Sequence, residues 1–344
     1  MYRFESDYTE GAHPQILQRL VDTNLCQTAG YGEDPFCASA REKIRAACAC
    51  PRAAVHFLVG GTQANATVIA ALLRPHQGVL CAETGHINVH ETGAVEATGH
   101  RPLALPAREG KMTASQVEAA VAAHYAQDGP EHTIQPGMVY ISQPTEYGTL
   151  YTLSELTALS AVCRARHLPL FVDGARLGYG LAAGDMTLPD LARLADVFYI
   201  GGTKCGALFG EAVVIPDPAL LPDFRYHMKQ RGAMLAKGRL LGVQFEALFT
   251  DDLYLRITAQ AVDQARRIRA AFAERGTEML IDSPTNQQFP IVTAAQQAYF
   301  RRDFSYTLWA PLEDGRAAVR FCTSWATAPE AVEALVSAIG SMPE

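Results

Sequence analysis

The stretch FYIGGTKCGALFG, residues 198–210, joins a strand-like apolar run to a glycine-rich loop that carries Lys204. Gly201, Gly202 and Gly206 permit tight turns directly after the strand. Most lysines are solvated surface charges, but the apolar residues on both sides would partly desolvate this amine. Desolvation lowers the pKa of a lysine, as a lysine that forms a Schiff base requires. The stretch therefore makes Lys204 a candidate for covalent catalysis at the edge of a sheet.

Apolar runs rich in β-branched residues alternate with longer helical patterns along the first two thirds of the chain, which is typical of a parallel α/β sheet. The helical patterns include residues 62–74 and residues 152–167, and the second opens with a capping-type pair, Ser154 and Glu155. The predicted strands are 54–59, 78–82, 138–142, 168–173, 197–200 and 212–215.

The pattern changes after about residue 218. Long helical stretches are predicted over residues 224–249 and 257–276. Short strand-like pieces and a last helix follow, at 287–292, 307–310, 318–325 and 329–339. The simplest division is an N-terminal arm and large α/β domain over residues 1–245, followed by a smaller α+β domain over residues 246–344.

Composition limits the class of protein. Of the 344 residues, 49% are apolar and 19% charged, which is typical of a soluble globular protein. The formal net charge of -7 favours neither nucleic acid nor an anionic membrane as a partner. The eight cysteines are scattered, as reduced cytosolic thiols are. Residues 1–14 carry charges where a signal peptide is apolar, and residues 57–73 are too interrupted by polar groups to span a bilayer. We therefore expect a cytoplasmic protein.

Polar residues just after predicted strands are the candidates for a binding site, because open parallel sheets place ligands beyond the carboxyl ends of their strands. Gly60 and Gly61 end one strand and Thr62 begins a helix. The free N–H groups and the dipole of that helix could hold a phosphate, although a tight strand-to-helix turn needs glycine in any case. The sequence has neither a P-loop nor a GxGxxG fingerprint here.

Asp173 ends a strand that is predicted to be fully buried. A carboxylate in that position is costly unless it is paired with a cation or a strong donor. It could cap the next helix, or it could pair with a buried cationic atom of a ligand. Arg176, three residues on, is available for an anionic group.

His86 and His90 follow the strand that ends near residue 82, and on a helix their spacing of four would place them on one face. A zinc site is one possibility, but HExxH is absent and no third ligand lies nearby in the sequence. The alternatives are a structural histidine and a histidine stacked on a flat cofactor.

Together these features match the needs of pyridoxal 5'-phosphate (PLP). The phosphate requires a helix N-terminus and hydroxyl groups, the aldehyde requires a lysine amine, and the pyridine nitrogen requires a carboxylate that keeps it protonated. The set of features, in this order along the chain, indicates a PLP site more specifically than any one of them does.

The motifs resemble those of the threonine aldolase family, within the beta-eliminating lyase branch of aspartate-aminotransferase-like PLP enzymes. The resemblance implies the α/β PLP-dependent transferase fold of type I, with a large, mostly parallel sheet domain and a smaller α+β C-terminal domain. The matching pieces span nearly the whole chain: Ser6-Asp7, residues 31–35, 60–65, 86–94, 173–176 and 201–206, and Arg320.

The resemblance implies a role for each matching residue near the cofactor. Lys204 would be the Schiff-base lysine, Asp173 the partner of the pyridinium nitrogen and His86 the residue stacked on the ring. Gly61 and Thr62 would hold the phosphate. His86, directly or through a water, is also the candidate base for the substrate hydroxyl.

The resemblance also implies the substrate contacts and the assembly. Ser6, Arg176 and Arg320 match positions that fix the substrate carboxylate or its surroundings, and Arg176 also matches a position near the cofactor. Tyr31 lies in a loop that the family uses at its intersubunit active site, and Lys229 matches a basic residue near the active site of a neighbouring subunit. The expected partner is a second copy of the chain, in a dimer with shared active sites and a tetramer built from it.

Several positions depart from the family's usual pattern. Glu5 stands where an arginine is common, Thr203 replaces the serine before the lysine, and Cys205 replaces a glycine after it. Ala236 occupies the place of a customary arginine, and residues 143–148 read QPTEYG where the family commonly has a Glu-Asn-Thr run.

The resemblance implies an aldehyde-lyase, similar to low-specificity L-threonine aldolases, with a small amino acid as its substrate. It would cleave a β-hydroxy-α-amino acid of the threonine, allo-threonine or phenylserine type to glycine and an aldehyde, through an external aldimine and a glycine quinonoid. A β-eliminating lyase or an aminotransferase on the same scaffold is the alternative, because fold does not decide which bond breaks. A third hypothesis is a module that only binds phosphate or a nucleotide, in which Lys204 would be dispensable.

Overall fold

The apolar, β-branched runs form strands, and a computed structural model describes all residues from 1 to 344. The strands are β1 Tyr2–Arg3, β2 Ala54–Leu58, β3 Gln77–Ala82, β4 Pro102–Leu105, β5 Gln135–Ser142, β6 Leu170–Asp173, β7 Val197–Gly201, β8 Glu211–Ile215, β9 Gln287–Gln288, β10 Ile291–Val292, β11 Phe304–Ser305, β12 Thr307–Pro311 and β13 Ala317–Cys322. All six strands predicted in the first 218 residues are present, whereas the short β1 and β4 were not predicted.

Helices connect these strands and cover the sheets. They are α1 Pro14–Thr23, α2 Pro35–Ala47, α3 Gly61–Leu72, α4 His86–Val89, α5 Ala114–Tyr125, α6 Leu153–Ala165, α7 Leu177–Ala183, α8 Leu188–Leu194, α9 Phe224–Gln230, α10 Arg239–Leu248, α11 Leu253–Glu274, α12 Ala294–Phe300 and α13 Pro329–Ser341. None of them has both the length and the apolar content that crossing a membrane requires.

The large sheet has seven strands in the order β2-β8-β7-β6-β5-β3-β4. Six of them, β2 to β7, run in the same direction, and β8 is antiparallel to both of its neighbours. Met138 and Tyr140 of β5 pack into one apolar cluster, whereas Val139 and Ile141 pack into another. Both faces of the sheet are therefore covered, as a mostly parallel sheet requires.

The C-terminal part has its own small antiparallel sheet, in which β13 pairs with β9, β10 and β12. Its apolar cluster includes Phe4, which immediately follows β1, and β1 pairs in parallel with β11. The first residues of the chain therefore pair with and pack against its C-terminal part. The predicted boundary at residue 245 falls inside α10, and the division into two domains stays a prediction.

Two local predictions were wrong. The helix predicted over 224–249 is two helices, α9 and α10, because Gly232 adopts a φ of +69° just after α9. The cap of α6 is Thr152 instead of the Ser154–Glu155 pair. The Thr152 hydroxyl accepts a hydrogen bond from the Glu155 N–H at 3.2 Å, and the Glu155 carboxylate accepts one from the Thr152 N–H at 2.8 Å.

Candidate active site

A polar cavity lies beyond the carboxyl ends of β5, β6 and β7, where an open α/β sheet binds its ligands. It brings together six of the ten predicted site residues, which come from four separate segments of the chain. These residues are Gly61, Thr62, His86, Asp173, Arg176 and Lys204.

The N-terminus of α3 forms one wall of the cavity. No side chain caps this helix, because its N-cap residue is Gly60. A β-carbon added to Gly61 would lie 3.1 Å from the Tyr199 hydroxyl, so a larger residue would crowd the wall. The free N–H groups of a helix start, together with the Thr62 hydroxyl, suit a phosphate.

Asp173 accepts hydrogen bonds on both carboxylate oxygens. Tyr140 donates to Oδ2 at 2.6 Å and the Asn65 amide donates to the same atom at 3.0 Å. Oδ1 accepts from the Tyr199 hydroxyl and from the Ala175 N–H. Burial alone would raise the pKa of Asp173, but the charge of His86 and these donors hold that pKa below its usual value. Asp173 is therefore an ionised carboxylate at the cavity wall.

His86 is held in place by Glu91, whose Oε1 lies 2.8 Å from the imidazole Nδ1. Asn65 donates to the same Glu91 oxygen at 2.8 Å, so it links the His86–Glu91 pair to Asp173. Burial alone would lower the pKa of His86, but the Glu91 hydrogen bond and the charges of Asp173 and Glu91 raise it. The imidazole is therefore biased toward its protonated, cationic form.

Lys204 lies in the loop after β7, as predicted. Its backbone carbonyl accepts a hydrogen bond from the Tyr179 hydroxyl at 2.6 Å, which fixes the loop. Its amine forms no hydrogen bond or ion pair within the chain and faces the cavity. Burial and the nearby charge of Arg176 lower the pKa of Lys204, which favours a nucleophilic amine.

Glu211 braces the loop that carries the lysine. Its Oε1 accepts from the Thr203 hydroxyl at 2.8 Å and its Oε2 accepts from the Gly202 N–H at 3.1 Å. Burial raises the pKa of Glu211 to about 8. The Thr203 that replaces the family's usual serine therefore has a partner of its own in this chain.

Arg176 lines the cavity but is tied to the N-terminal arm. Its Nε and Nη2 donate to the two carboxylate oxygens of Asp7, at 2.6 and 3.0 Å. Burial would raise the pKa of Asp7, but the charges of Arg176 and Lys204 lower it to about 2. Ser6 precedes this buried pair, so the arm reaches the edge of the site without Ser6 lining the cavity.

The other predicted residues lie outside the cavity. Arg320, on β13, donates to the Glu5 carbonyl and to Gln287, each at 3.1 Å, and its buried Nε has no partner. Tyr31 and Lys229 lie against each other, with the Lys229 amine 4.7 Å from the centroid of the Tyr31 ring. A single chain therefore brings together the predicted cofactor residues but not all the predicted substrate residues.

Sequence reasoning missed most of the residues that support the site. Asn65 ends the family-matching segment 60–65 and Tyr199 lies in a predicted strand, but nothing local marks either of them as a partner of Asp173. Glu146 lies in QPTEYG, which was noted only as a departure from a family pattern. Its position just beyond a strand end is the signal that could have found it.

The residues present fit PLP. An open helix N-terminus, an ionised carboxylate, a lysine amine without a partner and an imidazole surround one cavity, and these are the groups that the phosphate, ring nitrogen, aldehyde and ring of the cofactor need. Fold and site together define a PLP-dependent enzyme of the aminotransferase-like fold.

Comparison with known proteins identifies the family. The sequence model of the family described as Beta-eliminating lyase matches residues 4–306. The chain therefore belongs to the beta-eliminating lyase family, whose members depend on PLP, and this confirms the predicted family and cofactor.

Two curated relatives are similar over nearly their full length. The low specificity L-threonine aldolase of Pseudomonas aeruginosa is 31% identical over 97% of this chain and 95% of its own. The enzyme of the same name from a Pseudomonas species is 30% identical over 98% of this chain and 96% of its own. These relatives place the chain among the carbon–carbon lyases of its family.

Solved structures confirm the predicted fold. The threonine aldolase of Leishmania major superposes with a TM-score of 0.96 at 42% identity, over 99% of both chains. A mutant aspartate aminotransferase of Thermus thermophilus superposes with a TM-score of 0.71 over 99% of this chain and 91% of its own. At 12% identity, that second likeness bears on the fold alone.

Proposed function

We propose that this protein is a PLP-dependent aldolase that cleaves β-hydroxy-α-amino acids of the threonine, allo-threonine or phenylserine type to glycine and an aldehyde. The observation that carries the proposal is the cavity in which the unpartnered Lys204 amine and the ionised Asp173 meet an open helix N-terminus. The names of the two Pseudomonas relatives and of the Leishmania structure support the type of substrate.

The cavity residues divide the task of holding the cofactor. Lys204 would bind its aldehyde carbon, Gly61 and Thr62 its phosphate, and His86 would cover its ring. Asp173 would keep a proton on the ring nitrogen, because its charge is preserved by four donors. When bound, PLP supplies an electron sink for the pair released as a bond at Cα breaks.

Arg176, which lines the cavity, and Arg320, which lies outside it in this single chain, would orient the substrate carboxylate. Arg176 keeps its Nη1 free of the Asp7 pair, and Arg320 approaches from the small sheet with an unpartnered Nε. Ser6 lies on the arm between them. A carboxylate fixed in this way would hold the Cα–Cβ bond in the orientation in which it breaks.

A second copy of the chain is the expected partner. Helix α1 and the loop after it expose Leu17, Val21 and Leu25, and the last of these is 90% exposed. Such an apolar row is typical of a buried interface. In a dimer, Tyr31 and Lys229 would complete the neighbouring site, and a tetramer would be built from such dimers. The eight free cysteines support a cytoplasmic location.

β-Elimination is the second candidate function, because the family description names that reaction. An eliminating enzyme would release ammonia and a 2-oxo acid from a β-hydroxy amino acid. An aminotransferase would convert the amino acid to its oxo acid and keep the amino group on the cofactor. An aldolase yields glycine and an aldehyde, so the products separate the three reactions.

The test is to incubate the purified, PLP-loaded protein with L-threonine, L-allo-threonine and phenylserine and to quantify the products. We expect glycine in equal amounts with acetaldehyde or benzaldehyde. The Lys204→Ala variant should give neither product, whereas the Lys43→Ala variant, at a partly exposed lysine outside the cavity, should match the wild type. Ammonia or a 2-oxo acid as the main product would refute the aldolase function.

A further inference from the structure

Glu146 lies in the loop after β5 and lines the same cavity as Lys204 and His86. Its Oε1 accepts hydrogen bonds from the Ser142 hydroxyl at 2.7 Å and from the His86 backbone N–H at 2.9 Å. Its Oε2 accepts none within the chain and is not sealed from the cavity. The carboxylate is thus fixed through one oxygen and free at the other.

The other acidic side chains that line the cavity have partners on both oxygens. Both oxygens of Asp173 accept hydrogen bonds, as do both oxygens of Glu211. Glu146 is therefore the carboxylate of this cavity with an oxygen available to a bound molecule.

His86 is less suited than Glu146 to accept a proton. Glu91 holds its Nδ1 at 2.8 Å, and the carboxylates around it favour the imidazolium, in which both nitrogens already carry protons. An imidazolium donates hydrogen bonds and has no lone pair for a substrate hydroxyl. The role of base, assigned to His86 from the sequence, is therefore better suited to its neighbour in the cavity.

We propose that Glu146 is the base that accepts the β-hydroxyl proton during carbon–carbon cleavage, an inference that rests on the function proposed above. The O–H bond breaks, and its proton moves to Oε2 of Glu146. The O–H electron pair becomes the second bond of the aldehyde carbonyl, and the Cα–Cβ pair stays with the glycine fragment. That fragment takes up one proton at Cα, so the overall reaction neither gains nor loses protons.

The surroundings of Glu146 suit this task. Burial raises its pKa above the usual value, and the charge of Asp173 raises it further, against the hydrogen bond from Ser142 and the charge of His86. A general base is most effective when its pKa lies near the working pH. An ordinary, solvated glutamate would be a weaker base.

The test is the Glu146→Gln variant. The glutamine amide oxygen can accept the same two hydrogen bonds, so the loop and α4 should keep their positions, while the side chain can no longer take a proton. We expect kcat for threonine cleavage to fall by about 10²- to 10⁴-fold. The visible absorbance of the lysine-bound cofactor and the melting temperature should stay at wild-type values.

A partial reaction separates a base from a merely structural residue. Exchange of the glycine α-proton with deuterated water involves no β-hydroxyl, so its rate, measured by NMR, should stay within about threefold of wild type in Glu146→Gln. The matched control is Glu131→Gln, at an exposed glutamate remote from the cavity, which should leave cleavage and exchange unchanged.

A second variant keeps the proposal testable if Glu146→Gln is unstable. Cleavage by Glu146→Ala should be restored at least in part by added formate and not by formamide, since only formate can accept the proton. Near-normal threonine cleavage by Glu146→Gln would overturn the proposal. An equal loss of cleavage, of glycine α-proton exchange and of the absorbance of the lysine-bound cofactor would overturn it too. A wild-type enzyme that cleaves no β-hydroxy amino acid would instead refute the proposed function itself.

Discussion

The sequence predicts that Asp173 has a partner, but it does not predict which residues those partners are. A carboxylate at the end of a buried strand is costly, so the sequence already indicates that it has a partner. The donors that keep it ionised include Asn65, which is 108 positions away, and Tyr199 on the neighbouring strand. No local pattern predicts them, because they meet Asp173 only after the sheet has formed.

Replacing Asp173 by asparagine should remove the charge and keep the shape. We expect the protein to fold and kcat/KM for threonine cleavage to fall by about 10²- to 10³-fold, the usual cost of losing one electrostatic contact to the reacting group. The exposed Asp263→Asn variant is the control and should match the wild type. Near-normal turnover by Asp173→Asn would mean that Asp173 only caps the following turn through the Ala175 N–H.

Asp7 makes a second residue-scale prediction, about stability and pH. Its pKa is about 2 in the folded chain against 3.8 for a free side chain. Because the pKa of Asp7 is lower in the folded chain than in the unfolded chain, ionised Asp7 stabilises the fold at any pH above its unfolded pKa. This stabilisation is lost as the pH falls toward the pKa of the folded chain. The stabilisation at neutral pH is about 2 kcal/mol.

The measurement is the free energy of unfolding in urea for the wild type and for Asp7→Asn. The difference between them should shrink by about 1 kcal/mol between pH 6 and pH 3. Asp263→Asn should show no such trend. A difference that stays constant over this range would mean that the Arg176 pair does not lower the pKa of Asp7.

At the scale of elements, strands were easier to predict than helix ends. Runs such as residues 197–200 and 212–215 are apolar and β-branched, and both became strands of the large sheet. The break between α9 and α10 was missed because the residues on both sides of Gly232 continue a helical pattern. Thr152 was missed as the cap of α6, because a cap is defined by the hydrogen bonds that its side chain and that of Glu155 make to the backbone, and composition alone does not show these bonds.

The contact between α10 and α2 predicts the effect of a single methyl group. A β-carbon added to Gly242 would lie 2.5 Å from both the backbone nitrogen and the sulfur of Cys37. Gly242→Ala should therefore lower the free energy of unfolding by about 1–3 kcal/mol, the usual cost of overpacking. Urea denaturation measures this change.

Gly340 in α13 is the matched control, because a β-carbon there would meet no atom within 4 Å. Gly340→Ala should leave stability unchanged or raise it by up to about 1 kcal/mol, through the better helix propensity of alanine. Equal effects of the two substitutions would contradict the close packing of α10 on α2.

For the molecule as a whole, the sequence predicted the α/β architecture but not the contacts that join the N-terminal arm to the C-terminal part and to the cavity. In the N-terminal arm, β1 pairs with β11 of the C-terminal part, Phe4 joins the C-terminal apolar cluster, and Asp7 lies at the edge of the cavity. Asp7 and Arg176 are 169 positions apart. The family resemblance placed both in matching motifs, but composition and periodicity do not predict that they pair.

Replacing Phe4 tests how much the packing of the N-terminal arm against the C-terminal part contributes to stability. It is fully buried against Phe304 and Phe321, so Phe4→Ala should lower the free energy of unfolding by about 3–5 kcal/mol. The neighbouring Tyr8 is 57% exposed, and Tyr8→Ala should change stability by less than about 0.5 kcal/mol. Thermal and urea unfolding of both variants give the comparison, and a Phe4→Ala protein as stable as wild type would show that the arm is dispensable.

The central claim is that the cavity around Lys204 is the cofactor site of the enzyme. It is tested most directly by reducing the purified, PLP-loaded protein with borohydride, digesting it and locating the modified lysine by mass spectrometry. We predict that the phosphopyridoxyl group is found on the peptide that contains Lys204 and that Lys204→Ala abolishes the labelling. A label on another lysine, or no label in a protein that retains PLP, would contradict the claim.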